Sequence, residues 1–282
     1  MNCAWQAYLN LLPQWMRNEV DKQGRDGLQE LRLRIGRPPE LVLKDRKIWL
    51  DRDIKDSDLS AVVNTASSFS PWTAESIRRG YITASGGHRI GICGAVSVIN
   101  GEVRSMPKLT SVSVRVARDL PGIGSQAAKL KGSSLIIGSP GTGKTTLLRD
   151  IIRQISTLHR YCVAVVDERE EIFPLENGIF AFSPGPCTDV LTGCNKKTGI
   201  EMVLRSMAPK VIAVDEITAE SDCNALIYAG WCGVSMLATA HAADPQELYQ
   251  RPVYKPLLQH GLFQNLIVLQ KDQTWQLERM QE

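Results

Sequence analysis

A glycine-rich segment that ends in lysine and threonine carries the clearest chemistry in this sequence. It fits the pattern G-x-x-x-x-G-K-[ST], with an apolar run at 134–137 before it and a helical pattern at 145–156 after it. Such a loop turns backbone N–H groups towards phosphate oxygens, and the helix N-terminus adds partial positive charge at the same point. The segment therefore predicts a site for ATP, formed by Gly138, Ser139, Pro140, Gly141, Thr142, Gly143, Lys144, Thr145 and Thr146.

Four residues have individual roles in this prediction. We expect Lys144 to reach the β- and γ-phosphates and the Thr145 hydroxyl to bind Mg²⁺. Asp215 and Glu216 follow a second apolar run, at 211–214. A buried parallel strand would bring Asp215 to the edge of the sheet beside the loop, where a carboxylate can hold Mg²⁺. Glu216 could then accept a proton from an attacking water, which predicts hydrolysis of ATP rather than transfer of phosphate to a small metabolite.

Two more apolar runs end in polar residues. Asp167 and Glu168 follow the run at 162–166, which lies between the two nucleotide-binding motifs. A strand inserted at this point is typical of RecA-like and AAA-like ATPases. For this acidic pair a structural role and a direct role at the metal both remain open. His241 ends a further run, at 235–240, where it would lie near the γ-phosphate and could report its presence.

The elements that must position these residues fall into two sets. Residues 1–118 predict a smaller α+β N-terminal domain with helices at 4–20 and 56–69. Its strands are expected at 28–35, 40–44, 47–50, 80–84, 88–99, 102–106 and 111–117. Residues 119–125 are rich in proline and glycine and predict a linker. Residues 126–282 alternate apolar runs with helical stretches, which predicts an α/β, RecA-like P-loop ATPase domain with a parallel-rich sheet.

The composition narrows the class of protein. The 282 residues carry 33 Lys and Arg against 30 Asp and Glu, a net charge of +3, which is too balanced for a protein that coats nucleic acid. The seven cysteines contain no Cys-x-x-Cys pair, so they predict neither a disulfide framework nor a zinc site, and we expect a cytoplasmic protein. We expect neither a signal peptide nor a membrane span. Positive charge is concentrated in residues 1–124, either as an ordinary solvated surface or as an anion-binding face.

The nucleotide motifs, taken together with Ala240–His241–Ala242, resemble those of the type II/type IV secretion and pilus-retraction ATPases. A narrower set of segments resembles the stage III sporulation protein AA family of endospore-forming bacteria, over about residues 28 to 270. These segments are Leu28–Pro38, Arg79–Thr83, Gly87–Gly94 and Arg205–Met207.

This resemblance implies a cytoplasmic ATPase that works at a membrane through partners. It would form a hexameric ring beneath a channel complex between mother cell and forespore, with the membrane proteins of the stage III group as partners. The family pattern further implies that nucleotide lies between the two domains and that Arg115 meets its phosphates, with Arg104 and Arg118 as alternatives. Arg205 would contact the nucleotide or a neighbouring subunit. Glu168 is a further catalytic candidate by resemblance.

Two points stay open at the level of sequence. The broader secretion ATPases often carry Gly-Glu followed by Arg-Asp where this chain has Asp215-Glu216-Ile217-Thr218, so the base could be Glu168 or Glu216. A nucleic-acid-dependent RecA-like motor and an ATP-binding scaffold with little turnover are the competing functions. The near-neutral charge and the lack of an aromatic and basic channel motif count against nucleic acid. In either motor, the segment 184–197, which includes Lys196, is predicted to be a loop that lines a pore.

Overall fold

The computed structural model describes residues 2–68, 80–176, 178–270, 272 and 274–280, and the chain divides into two compact units. The first unit comprises Met1–Arg118 and Leu175–Ala181, and the second comprises Asp119–Pro174 and Phe182–Glu282. This grouping differs from the predicted boundaries in two places. The expected linker packs within the second unit, and a short segment from the predicted ATPase domain belongs to the first unit.

The helices of the first unit are α1 (Trp5–Leu11), α2 (Gln14–Gly27) and α3 (Asp56–Ala66). The prediction of one helix over 4–20 is wrong, because Pro13 separates α1 from α2 and lies in an extended conformation at the N-cap of α2. The predicted end of the helix at Phe69 falls outside the described residues, and α3 ends at Ala66.

Six of the described strands of the first unit form an antiparallel sheet in the order β3-β2-β1-β6-β5-β4. The strands are β1 (Leu28–Arg34), β2 (Glu40–Leu43), β3 (Lys47–Trp49), β4 (Tyr81–Ala84), β5 (His88–Ile99) and β6 (Glu102–Arg115). Residues 102–106 and 111–117 are therefore not two strands, because pairing with β5 continues along the whole of β6 through bulges. Alternate residues of β1, such as Leu31 and Leu33, are buried against the helices.

His88, at the start of β5, is buried, and its ring contacts two backbone groups of this unit. Its Nδ1 accepts the backbone N–H of Ala117 at 3.0 Å, so the neutral ring carries its proton on Nε2, which lies 3.0 Å from the Ala4 carbonyl oxygen. Burial is the main reason that the pKa of His88 lies below its usual value. Protonation would place a second N–H against that of Ala117.

We expect the first unit to lose stability as the pH falls below about 6.5, because the unfolded chain then binds a proton that the folded histidine does not. The loss is at most about 1.4 kcal/mol per pH unit and ends at the lower pKa of the folded ring. Denaturation at pH 7.5 and 5.5 should show this difference in the wild type and a smaller one in His88→Gln. An equal pH dependence in both proteins would contradict the assignment.

The second unit contains a sheet in the order β11-β8-β12-β13-β7-β14-β15 among its described residues. The strands are β7 (Ser134–Gly138), β8 (Val163–Asp167), β11 (Thr188–Thr192), β12 (Val211–Val214), β13 (Ser235–His241), β14 (Asn265–Leu269) and β15 (Trp275–Arg279). All of these pairings are parallel except that of β15 with β14. The predicted α/β class with a parallel-rich sheet is confirmed.

The helices of the second unit are α4 (Lys144–Leu158), α5 (Lys196–Ser206), α6 (Glu220–Trp231), α7 (Pro245–Gln250) and α8 (Lys255–Gln259). The prediction of a loop over 184–197 is wrong, because this segment contains the edge strand β11 and the first residues of α5. In the first unit, β9 (Leu175–Glu176) and β10 (Ile179–Phe180) pair as a short hairpin. Within the described ranges, none of the helices combines the length and the apolar character that crossing a membrane requires.

Candidate nucleotide site

The glycine-rich loop lies between β7 and α4 and folds back on the lysine that follows it. Gly141 and Gly143 have φ angles of +79° and +101°, a region that L side chains rarely adopt. The buried Nζ of Lys144 donates to the carbonyl oxygens of Gly138 at 2.7 Å and Ser139 at 3.1 Å. Burial lowers the pKa of Lys144 from its usual value. A lysine cation beside a glycine-rich turn that leads into a helix N-terminus is the arrangement that a phosphate chain requires.

Two hard oxygen ligands meet beside this loop. The Thr145 hydroxyl donates to Oδ2 of Asp215 at 2.7 Å, and the Thr239 hydroxyl donates to Oδ1 of the same carboxylate. The sheet order explains this contact, because β13 lies between β7 and β12 and the three strands end at one edge. The pair fits Mg²⁺, which takes few protein ligands and completes its shell with water and phosphate oxygens. The described part of the chain holds no group of three or more His, Cys, Asp or Glu arranged for a metal.

Glu216 lies at the centre of a charged network. Its Oε2 accepts from Arg169 Nη1 at 2.9 Å, and its Oε1 accepts from His241 Nε2. His241 Nδ1 in turn lies 3.0 Å from Lys144 Nζ, and since an ammonium can only donate, Nδ1 accepts and Nε2 carries the proton. Burial alone would raise the pKa of Glu216, but the bond from His241 and the positive charges nearby outweigh it and lower the pKa. A deprotonated carboxylate suits a general base.

The backbone of Glu216 is unusual as well. Its φ angle is +53°, in the left-handed region, and its N–H donates to the Thr239 hydroxyl at 2.7 Å. Such a conformation in a non-glycine residue persists only where its surroundings enforce it, and it is common at functional sites. With this backbone, the Glu216 carboxylate lies against His241.

The acidic pair at the end of β8 has two different environments. Asp167 is buried and accepts the backbone N–H groups of Glu171, Ile172 and Phe173 at 2.8 to 2.9 Å. Burial raises the pKa of Asp167 to about 7. This geometry favours the structural role for Asp167, which organises the loop after β8. Glu168 instead accepts from Lys196 Nζ at 2.7 Å.

The remaining predicted arginines have other partners in the described chain. Arg205 pairs with Glu201 on its own exposed helix face, and Arg104 pairs with Glu102 in the β5–β6 hairpin. Arg118 donates to the carbonyl oxygens of Arg25 and Leu28. The structure therefore does not bring Arg205 to the glycine-rich loop, and a contact of Arg205 with a neighbouring subunit stays a prediction.

Arg115 is placed differently from these three. It lines a concave cavity of about 360 Å³ on the sheet of the first unit, together with Arg32, Arg34 and Arg89. Glu30 lies in the same cavity, where it binds Arg32. Four arginines thus line one cavity, although Arg32 pairs with Glu30 and Arg34 pairs with Glu40. Binding of an anion at this face stays a prediction.

Sequence reasoning missed three residues of the site. Thr239 lies two residues before His241 on β13, and the alternation of a strand places both on one face, a signal that could have been used. Arg169 follows the acidic pair directly, and its contact with Glu216 depends on β8 and β12 being neighbours. Lys196 was predicted to be a pore-lining residue in a loop, and the structure buries it instead.

The sequence is similar to a described protein family and to curated proteins. The family model described as sporulation stage III, protein AA matches residues 6–277. The stage III sporulation protein AA of Bacillus subtilis is 36% identical over 276 residues, covering 93% of this chain and 89% of that protein. SEEDLING PLASTID DEVELOPMENT 1 of Arabidopsis thaliana is 29% identical over 262 residues, which cover 89% of this chain but 36% of that protein.

Solved structures share the fold at low sequence identity. The ATPase DotB of Legionella pneumophila is 16% identical with a TM-score of 0.55, and the match covers 95% of this chain and 80% of that one. The pilus retraction motor PilT, solved with bound ADP, is 14% identical with a TM-score of 0.56, and the match covers 89% and 76% of the two chains. The predicted secretion-ATPase fold is thereby confirmed. On the extent of the family match and the identity to the Bacillus protein, the chain belongs to the stage III sporulation protein AA family.

Proposed function

We propose that the chain is a Mg²⁺-dependent ATPase. The observation that carries this proposal is the continuous set of contacts from the phosphate loop to the base: Lys144 contacts His241, His241 contacts Glu216, and Asp215 contacts Thr145. A candidate phosphate-binding lysine, two candidate Mg²⁺ ligands and a candidate base therefore lie at one edge of one sheet. The solved structure of PilT with ADP shows that a nucleotide binds to a protein of this fold.

In the proposed reaction Lys144 exchanges the carbonyl oxygens of Gly138 and Ser139 for phosphate oxygens. Thr145 and Asp215 would hold Mg²⁺, which when bound offsets the negative charge of the phosphates. Together these residues would hold the phosphate chain at the end of the sheet where β7, β12 and β13 terminate. Positioning and charge stabilisation supply most of the catalysis in phosphoryl transfer.

Glu216 is the proposed general base, which accepts the proton of the attacking water. In the present arrangement its carboxylate is held by His241 and Arg169, so the oxygens must be released to the water when nucleotide binds. His241 contacts both Lys144 and Glu216, and it can therefore transmit the presence of a phosphate to the base.

At the level of the cell, we propose a hexameric ring motor that drives a channel complex between mother cell and forespore. Its partners would be the membrane proteins of the stage III group, and the protein would be cytoplasmic and reach the membrane through them. Membership of the sporulation family supports this assignment, and no nucleic-acid partner is proposed.

Release of phosphate by the purified protein tests the proposed function. We expect turnover with ATP and Mg²⁺ and none after Mg²⁺ is chelated with EDTA, because Thr145 and Asp215 alone cannot offset the phosphate charge. Sedimentation with a non-hydrolysable ATP analogue should show assembly beyond a monomer. Binding of ATP without turnover would support the scaffold, and stimulation by single-stranded DNA that binds at micromolar concentration would support a nucleic-acid motor.

A further inference from the structure

Lys196 is a buried lysine in a position that disfavours a positive charge. It is the first residue of α5, where the helix dipole is positive, and only 4% of its surface is exposed. Moving an ammonium out of water costs several kcal/mol unless it is paired. The neighbouring Lys197 also lies in the first turn of α5, but its side chain is exposed. A lysine in such a place needs compensation from negative groups nearby.

The compensation comes from carboxylates on two other elements. Lys196 Nζ donates to Glu168 Oε2 at 2.7 Å, and it lies 4.0 Å from Asp222 Oδ2. Glu168 follows β8 and is partly exposed, whereas Asp222 is buried in the first turn of α6. The ammonium therefore joins the end of one strand to the start of the helix that follows another.

Asp222 connects this ammonium to the segment that carries the base. Its Oδ2 accepts the backbone N–H groups of Thr218 at 3.1 Å and Ala219 at 3.2 Å. These residues end the short turn that begins after β12 and includes Glu216. Lys196 and Glu216 also line one small concavity, together with Asp215 and Glu168. A shift of Asp222 would consequently move the turn, and the left-handed backbone of Glu216 with it.

We propose that Lys196 is a positioning residue for ATP hydrolysis, which fixes the turn bearing Glu216 by holding Glu168 and Asp222 together. This inference rests on the proposed function. It also gives Glu168 a defined part, since its carboxylate acts on the reaction through Lys196 and does not take the proton itself. Catalytic groups tolerate little displacement, and an error of about 1 Å can cost on the order of 100-fold in rate.

The test compares Lys196→Met with the matched control Lys197→Met. We expect Lys196→Met to lower kcat about 10- to 100-fold while the affinity for a fluorescent ATP analogue stays within about twofold of wild type. Lys197→Met should keep both values. Because Lys196→Met could lose its fold, circular dichroism is recorded for each variant, and Glu168→Gln serves as a milder second variant. Because this position is partly exposed, we expect Glu168→Gln to lower kcat by only about 10-fold, with unchanged affinity for the ATP analogue.

A double variant shows whether Lys196 and Glu168 act on turnover together or independently. If Lys196 and Glu168 act as a pair, the Lys196→Met/Glu168→Gln protein is no slower than the Lys196→Met protein. Fully additive losses, an unchanged kcat in both single variants, or a loss of nucleotide affinity that accounts for the lost turnover would each overturn the inference. If the wild type itself releases no phosphate, it is the proposed function that fails, and the positioning role fails with it for a different reason.

Discussion

The Glu216→Gln protein will bind ATP but will not hydrolyse it. Glutamine is nearly isosteric with glutamate and can still contact Arg169 or His241, but it cannot accept a proton from water. Removing a general base typically costs about 10² to 10⁴ in rate, so phosphate release should fall at least 100-fold. The affinity for a fluorescent ATP analogue should remain close to wild type, since Lys144 and Thr145 are untouched.

Two control variants sharpen this result. Glu220→Gln changes an exposed carboxylate four residues away and should leave turnover unchanged. Glu168→Gln should be slowed much less than Glu216→Gln, because Glu168 is occupied by Lys196 rather than placed against His241. A Glu168→Gln protein that is inactive beside a Glu216→Gln protein that still turns over would transfer the role of base to Glu168. Comparing the losses of turnover in these two variants thus decides whether Glu216 or Glu168 is the base, which the sequence left open.

Sequence alone could predict the parts of the site in which a functional residue comes soon after a buried strand in the chain. A continuous apolar run of four residues between turn signals is typical of a strand buried on both faces, so the residues after 134–137 and 211–214 were expected at one edge of the sheet. The contact between Thr145 and Asp215 follows from that reasoning alone. It needs no knowledge of which strand lies between.

The parts that could not be predicted depend on partners distant in sequence. A lysine is usually solvated, and nothing near Lys196 in the chain shows that Glu168 and Asp222 will meet it once α5 packs on α6. The edge strands β11 and β15 were missed because their exposed sides carry polar residues, which interrupts an apolar run. Pro13, by contrast, is a helix-breaking signal in the sequence itself, and the prediction of one helix over 4–20 overlooked it.

Replacing Lys144 by methionine should remove both binding and turnover, in contrast to the Glu216 variant. The lysine ammonium is the group best placed to meet the phosphates, and a charge-assisted hydrogen bond of this kind is worth about 1.5 to 3 kcal/mol. That corresponds to roughly a 10- to 100-fold loss of ATP affinity. The loss of turnover should be larger, on the order of 10³-fold, because negative charge on the transferred phosphoryl group also meets the lysine in the transition state.

The same variant also tests how the resting site is held together. Lys144 Nζ bonds to two carbonyl oxygens of its own loop and to His241, so its removal frees the His241 ring from one of its two partners. The side chain is buried, and methionine avoids the cost of burying a cation, so we expect little change in thermal stability. Lys131→Met, on the exposed approach to β7, is the matched control and should bind and hydrolyse ATP as the wild type does. If Lys144→Met kept wild-type affinity for ATP, the phosphates would have to be held elsewhere, and the glycine-rich loop could not be the nucleotide site.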